Sequence, residues 1–157
     1  MNINKTIQSA YAYYQAGNLR QADLLCRKIL KKESNNPEVL NFVGVINFQN
    51  NNYDNAIRYF RKALKYNQDF VDAHYNLANA LKIIGEIDEA ATHYKKAIQI
   101  NPNFVNAYNN LGTIYQDKNK LDQALTYYQK AIALNSNHGL PADGIPGPHI
   151  WQCIYPE

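Results

Sequence analysis

Apolar residues along this chain recur at spacings of three and four, which gathers them on one face of a helix. The segments YNLANAL (75–81) and NNLGTIY (109–115) stand 34 residues apart. The same step divides residues 3–138 into four units, 3–36, 37–70, 71–104 and 105–138, with no insertion or deletion. The twentieth place of each unit holds Ala22, Ala56, Ala90 and Ala124, and the eighth holds Ala10, Gly44, Ala78 and Gly112. Small side chains at two fixed places let two helix axes approach closely. The twenty-seventh place is small in three units, with Ile29, Ala63, Ala97 and Ala131. Large residues fill the places between: Cys26, Phe60, Tyr94 and Tyr128 at one, Leu30, Leu64, Ile98 and Ile132 at another.

The fifteenth place holds Gly17, Asn51, Gly85 and Asn119, residue types that tolerate the left-handed conformation ending a helix. Each unit is therefore predicted to be helix, tight turn, helix. The second helix opens on Asp54, Asp88 or Asp122, which suits its positive end, and closes on a basic cluster such as Arg61-Lys62 or Lys95-Lys96. Pro37 and Pro102 are expected near the start of the following helix. One hairpin cannot bury its apolar face alone, whereas stacked hairpins can.

Unit length, the helix–turn–helix pattern and the small-residue places resemble the tetratricopeptide repeat. Unit 105–138 is closest to that pattern, with Tyr108, Leu111-Gly112, Tyr115, Ala124, Tyr128 and Ala131; Ser136 stands where the pattern has Pro. The resemblance covers 136 of 157 residues. It implies an all-α, right-handed superhelical solenoid whose first helices line a concave groove. Unit 3–36 departs most, with Thr6, Ser9 and Asp23 replacing larger apolar residues, as expected either of a terminal repeat that faces water or of a degenerate repeat that frays. Residues 139–157 share none of the pattern. They hold four of the six prolines yet also Ile145, Ile150, Trp151, Ile154 and Tyr155, and are expected to form an irregular tail.

Composition narrows the function classes. Charged residues are 18% of the chain and the net charge is +3, too little to point to nucleic acid or a membrane surface. Cys26 and Cys153 make no disulfide framework and suit a reducing compartment. The start, MNINKTIQSAYAYYQ, has no basic region followed by an apolar run, and no stretch approaches the roughly 20 apolar residues of a membrane span. The expected location is the cytoplasm, with no membrane association. There is no G-x-S-x-G, no Gly-rich phosphate loop and no H-E-x-x-H, so no enzyme activity, catalytic residue, cofactor or metal is expected. His74 and Cys26 stand at packing places. His149 and Cys153, four apart in the tail, lack a third ligand.

The resemblance places the groove on the first helices and its partner as an extended peptide segment of another protein. Groove candidates from the N-terminal half are Tyr11, Tyr14, Phe42 and Phe48, the apolar anchors. Those from the C-terminal half are Asn76, Asn79, Lys82, Asn109, Asn110 and Thr113. An Asn amide bears two donors and an acceptor, so it can bond both polar groups of a peptide unit. Asn76 and Asn110 match the asparagine ladder in the repeats of O-linked N-acetylglucosamine transferases, while Gln8 and Phe42 interrupt it. That similarity implies an alternative role, as the substrate-recruiting fragment of a larger transferase. The family's carboxylate clamp for chaperone C-termini needs basic residues and Asn at the places where this chain has Ile7, Tyr11, Phe42, Asp72 and Asn76; the basic residues are absent and Asp72 would repel a carboxylate, so that partner class is not expected. Nucleic acid is a weaker alternative: Lys28, Lys62, Lys96 and Lys130 form a row, but without an aromatic stacking platform. For the last helix three outcomes are open. The tail covers it with Ile150, Trp151 and Ile154, it self-associates or meets a partner, or the chain is part of a longer protein.

Overall fold

A chain that must reverse within three residues needs a corner, and all four corners have one solution. Gly17 (φ +75°), Asn51 (+57°), Gly85 (+90°) and Asn119 (+55°) take the left-handed conformation, nearly free for Gly and tolerated by Asn. The N–H groups around each corner then satisfy the carbonyls of the helix just ended. Asn51 N–H donates to Phe48 O (3.0 Å) and Asn52 N–H to Asn47 O (2.9 Å), and the other three corners repeat this pair of bonds.

The computed structural model describes residues 2–138, which form eight helices. They are α1 (Ile3–Gln15), α2 (Leu19–Leu30), α3 (Pro37–Gln49), α4 (Tyr53–Tyr66), α5 (Val71–Ile83), α6 (Ile87–Ile100), α7 (Val105–Asp117) and α8 (Leu121–His138). Among the described residues there is no strand, and no helix is long and apolar enough to cross a membrane. Successive helices pair as hairpins, and each hairpin stacks on the next to make the all-α solenoid. Expectations for 139–157, the His149–Cys153 pair and the covering of the last helix by Ile150, Trp151 and Ile154, lie outside the described residues.

Helix starts carry the expected chemistry in part. The side chains of Asn2, Asn18 and Asn36 accept from the N–H of Lys5, Gln21 and Val39. Asp54, Asp88 and Asp122 lie in first turns. Pro37 opens α3, but Pro102 sits in the turn before α7. The basic clusters also differ from expectation. Arg61-Lys62 and Lys95-Lys96 lie ahead of the last turn, and α6 has no basic residue there. Their cations have other work: Arg61 pairs with Glu89 (2.8 Å), Arg27 with Asp23 (2.6 Å), and Lys95 lies over the Tyr115 ring (5.5 Å).

The small places are where rings enter. A Cβ on Gly44 would fall 2.6 Å from Phe60 Cδ1, and one on Gly112 would fall 2.5 Å from Tyr128 Cε1. Both glycines therefore let an aromatic ring of the second helix lie directly on the backbone of the first. Phe60, Tyr94 and Cys26 are buried in these layers, and burial pushes the Cys26 thiol up to about 12. His74 is buried too. Its Nδ1 meets His93 Nδ1 at 2.9 Å and its Nε2 meets Gln68 O at 2.9 Å. Nε2 must therefore donate to the carbonyl and Nδ1 must accept, which makes His93 Nδ1 the donor. Burial lowers the pKa of both imidazoles.

The two ends of the stack are unlike. The places of Thr6 and Ser9 hold buried residues in later units, such as Leu40 and Tyr108 or Val43 and Leu111. In the first hairpin these two places are polar, and their hydroxyls donate to Asn2 O (2.9 Å) and Lys5 O (3.0 Å). Asp23 departs from the water-facing expectation. Its equivalents Ile57 and Ala91 are buried toward the next hairpin, and its own Oδ1 is buried with no hydrogen-bond partner.

Candidate binding groove

The first helices α1, α3, α5 and α7 bring the groove candidates into columns, and side chains bond from one column to the next. Asn76 Nδ2 donates to Asn41 Oδ1 (3.2 Å), and Asn110 Nδ2 lies near both Tyr75 OH (3.4 Å) and Asn79 Oδ1 (3.4 Å). Gln49 Nε2 donates to Tyr14 OH (2.7 Å). The pairs Asn41–Asn76, Tyr75–Asn110 and Tyr14–Gln49 are each 35 apart in sequence, one more than the repeat. Neighbouring first helices thus meet one residue out of register.

A cavity lies between α3, α5 and α7. It measures about 260 Å³ and is lined by Phe48, Tyr75, Asn79, Lys82, Ile83, Asn106, Asn109 and Asn110. Its polar floor is a connected network. Tyr94 OH donates to Asn79 Oδ1 (2.5 Å), and Lys82 Nζ donates to Asn110 Oδ1 (3.2 Å). Each of these bonds fixes the orientation of an amide, so the floor of the cavity is ordered within the chain itself. Among the described residues the Asn109 amide makes no hydrogen bond to protein, and Phe48 and Ile83 form an apolar rim. Such a surface can bond a peptide backbone from its floor and hold an apolar side chain at its edge.

The other candidates are placed differently. Phe42 is only 3% exposed and belongs to the core with Ile7 and Val43. It lies beneath Tyr11 (6.2 Å between rings) and Tyr14 (5.4 Å), so the apolar surface at that end is made by the two tyrosines. Thr113 Oγ1 donates to Asn109 O (3.1 Å) within its own helix. Asn76 is engaged in part by Asn41, a residue the repeat pattern does not single out. Asn106 and Ile83 line the cavity as well, at the second and thirteenth places of their units, although neither is marked as a groove residue by its type. The useful signal for Asn41 is its step of 35 to Asn76, hidden by a pattern that steps by 34. Asp72, on the first turn of α5, is half-buried with no hydrogen bond or ion pair among the described residues. Burial without a partner raises its carboxyl to about 6.

Profiles of the TPR repeat match residues 44–83 and 79–118, and that of the tetratricopeptide repeat matches 105–138, together more than half of the 157 residues. A UDP-N-acetylglucosamine–peptide N-acetylglucosaminyltransferase of Caenorhabditis elegans is 32% identical over 87 residues, 55% of this chain. The match spans 8% of that enzyme's length. A crystal structure of MamA superposes with a TM-score of 0.81 at 27% identity, over 88% of this chain and 81% of that one. MamA 41-end from Desulfovibrio magneticus RS-1 superposes with a TM-score of 0.78 at 17% identity, over 88% of this chain and 78% of that one, a likeness of fold alone. With its ring-on-glycine hairpins, left-handed corners and three profile matches, the chain belongs to the tetratricopeptide repeat family.

Proposed function

We propose that this chain is a non-catalytic interaction scaffold whose concave groove holds an extended peptide segment of a partner protein. The observation that carries this is the cavity between α3, α5 and α7, with its amide floor and apolar rim. Asn79, Asn109 and Asn110 supply backbone hydrogen bonds, and Phe48 and Ile83 anchor a side chain. Tyr11 and Tyr14 extend the apolar contact toward the N-terminal end. Lys82 favours an acceptor beside Asn110, and Asp72 favours a cationic group beside the first turn of α5. Nucleic acid is disfavoured, because Arg27, Arg61 and Lys95 are occupied within the chain.

The test is selection of binders from a random peptide library on the wild-type chain, followed by titration of the best peptide. Asn79→Ala/Asn110→Ala removes two or three hydrogen bonds of about 1 kcal/mol each and should weaken binding roughly tenfold or more. Unchanged affinity with an intact far-UV helical signal would move the site elsewhere.

A second reading rests on the peptide N-acetylglucosaminyltransferase relative, whose name describes transfer to a peptide. In it, the array recruits protein substrates for a transferase. UDP-N-acetylglucosamine-dependent transfer activity should then co-purify with the chain from its native source, and its absence sinks this reading.

A further inference from the structure

The open face of α8 repeats a pattern that is covered everywhere else in the stack. Leu125 is 56% exposed, while its equivalents Ile57 and Ala91 are buried beneath the following hairpin. Leu121 is 62% exposed, while Leu19, Tyr53 and Ile87 are half-buried. The opposite end of the stack has met water by exchanging apolar residues for Thr6 and Ser9. The α8 face has made no such exchange, and a contiguous row of large apolar side chains on a helix marks a contact surface.

We propose that this face is the docking site of the chain's own segment 149–155, HIWQCIY. In every earlier hairpin the covering element comes directly after it in sequence, and the residues directly after α8 are the nineteen of 139–157. The segment supplies Ile150, Trp151, Ile154 and Tyr155, side chains of the kind that cover the equivalent faces. Geometry permits it. The linker 139–148 can span about 33 Å when extended, and α8 with its 18 residues is about 27 Å long. A short tether holds the segment at an effective concentration on the order of millimolar, which favours it over a second copy at ordinary protein concentrations. The docked segment completes the core at the C-terminal end without adding a repeat.

Trp151 is the only tryptophan in the sequence, so its fluorescence reports on this segment alone. In the full chain its emission should be blue-shifted and shielded from acrylamide, and unchanged on hundredfold dilution. Leu121→Asp/Leu125→Asp should move the emission to that of indole in water while far-UV circular dichroism stays helical. Ile150→Asp/Ile154→Asp leaves the array untouched and should have the same effect, which guards against a folding defect in the first variant. A solvent-exposed Trp151 in the wild type overturns the proposal. So does a buried one that is insensitive to both variants, that responds to Tyr14→Ser in the groove instead, or that becomes exposed on dilution, which would identify a second copy as the occupant.

Discussion

Gly44→Ala tests whether a ring lying on a glycine sets the distance between α3 and α4. The new methyl would fall 2.6 Å from Phe60 Cδ1 and closer still to Cε1, so the ring must retreat by about 1 Å to reach ordinary contact. Phe60 is 1% exposed and has no room to yield, so the overpacking cost falls in the upper part of the usual range, about 2–3 kcal/mol. Alanine returns about 1 kcal/mol of helix propensity. The expected net loss is about 1–2 kcal/mol, a fall in Tm of about 3–8 °C for a domain of this size. Thermal melts followed at 222 nm measure it. Gly112→Ala should cost less, because Tyr128 is half-buried and can swing outward, losing its hydroxyl contacts with Gln116 (2.8 Å) and Thr113 (3.3 Å). Gly44→Ala/Phe60→Leu should recover most of the loss, because the smaller side chain vacates the overlap. A Gly44→Ala protein as stable as the wild type, or a double variant worse than the sum of its parts, would refute the argument.

Two further expectations concern the corners and the buried charges. Gly85 has φ +90° and open space around its Cα, so Gly85→Ala should destabilise by about 1 kcal/mol through backbone strain alone, whereas Asn51→Gly should be neutral or slightly stabilising; urea melts of the three proteins decide it. Asp72 has a folded pKa of about 6, above its unfolded value of 3.8. Its contribution is full below the lower value and is lost as pH rises through the upper one. Asp72→Asn should therefore stabilise the chain by about 1–3 kcal/mol at pH 7 and by little near pH 4. His74 and His93 act oppositely: their folded pKa values lie below 6.5, so the stability they confer is present above that pH and is lost as pH falls below it. Melts of wild type, Asp72→Asn and His93→Gln across pH 4–8 separate the two trends.

The hairpins were legible because each depends on residues at fixed places. Gly17, Asn51, Gly85 and Asn119 announce their corners by type, and Gly44 and Gly112 announce close approach by their lack of a Cβ. The groove was legible only by column. Asn76 and Asn110 could be placed on the inner face, but their partners could not. The partners lie one place away in the neighbouring unit, an offset that a 34-residue alignment of units conceals. Asp23 shows the same limit. Its polarity suggests an end facing water, yet its place faces the next hairpin, and direction along the stack cannot be read from polarity. Phe42 is ambiguous in sequence for a related reason: an aromatic at the inner face serves equally as surface or as the layer beneath it, and Tyr11 and Tyr14 decide which.

The column running through Gln8, Phe42, Asn76 and Asn110 changes character once, from aromatic surroundings around α1 and α3 to amides on α5 and α7. A strand in a sheet alternates sides at every residue, and a ligand reading such a surface would alternate too. This surface would instead suit a block sequence, greasy at one end and rich in small or polar residues at the other. Reversing the order of the blocks, with composition and length unchanged, would put each block against the wrong half. If the proposed groove is used, the two ends of a ligand would be told apart along its whole length as well as at the cavity between α3, α5 and α7.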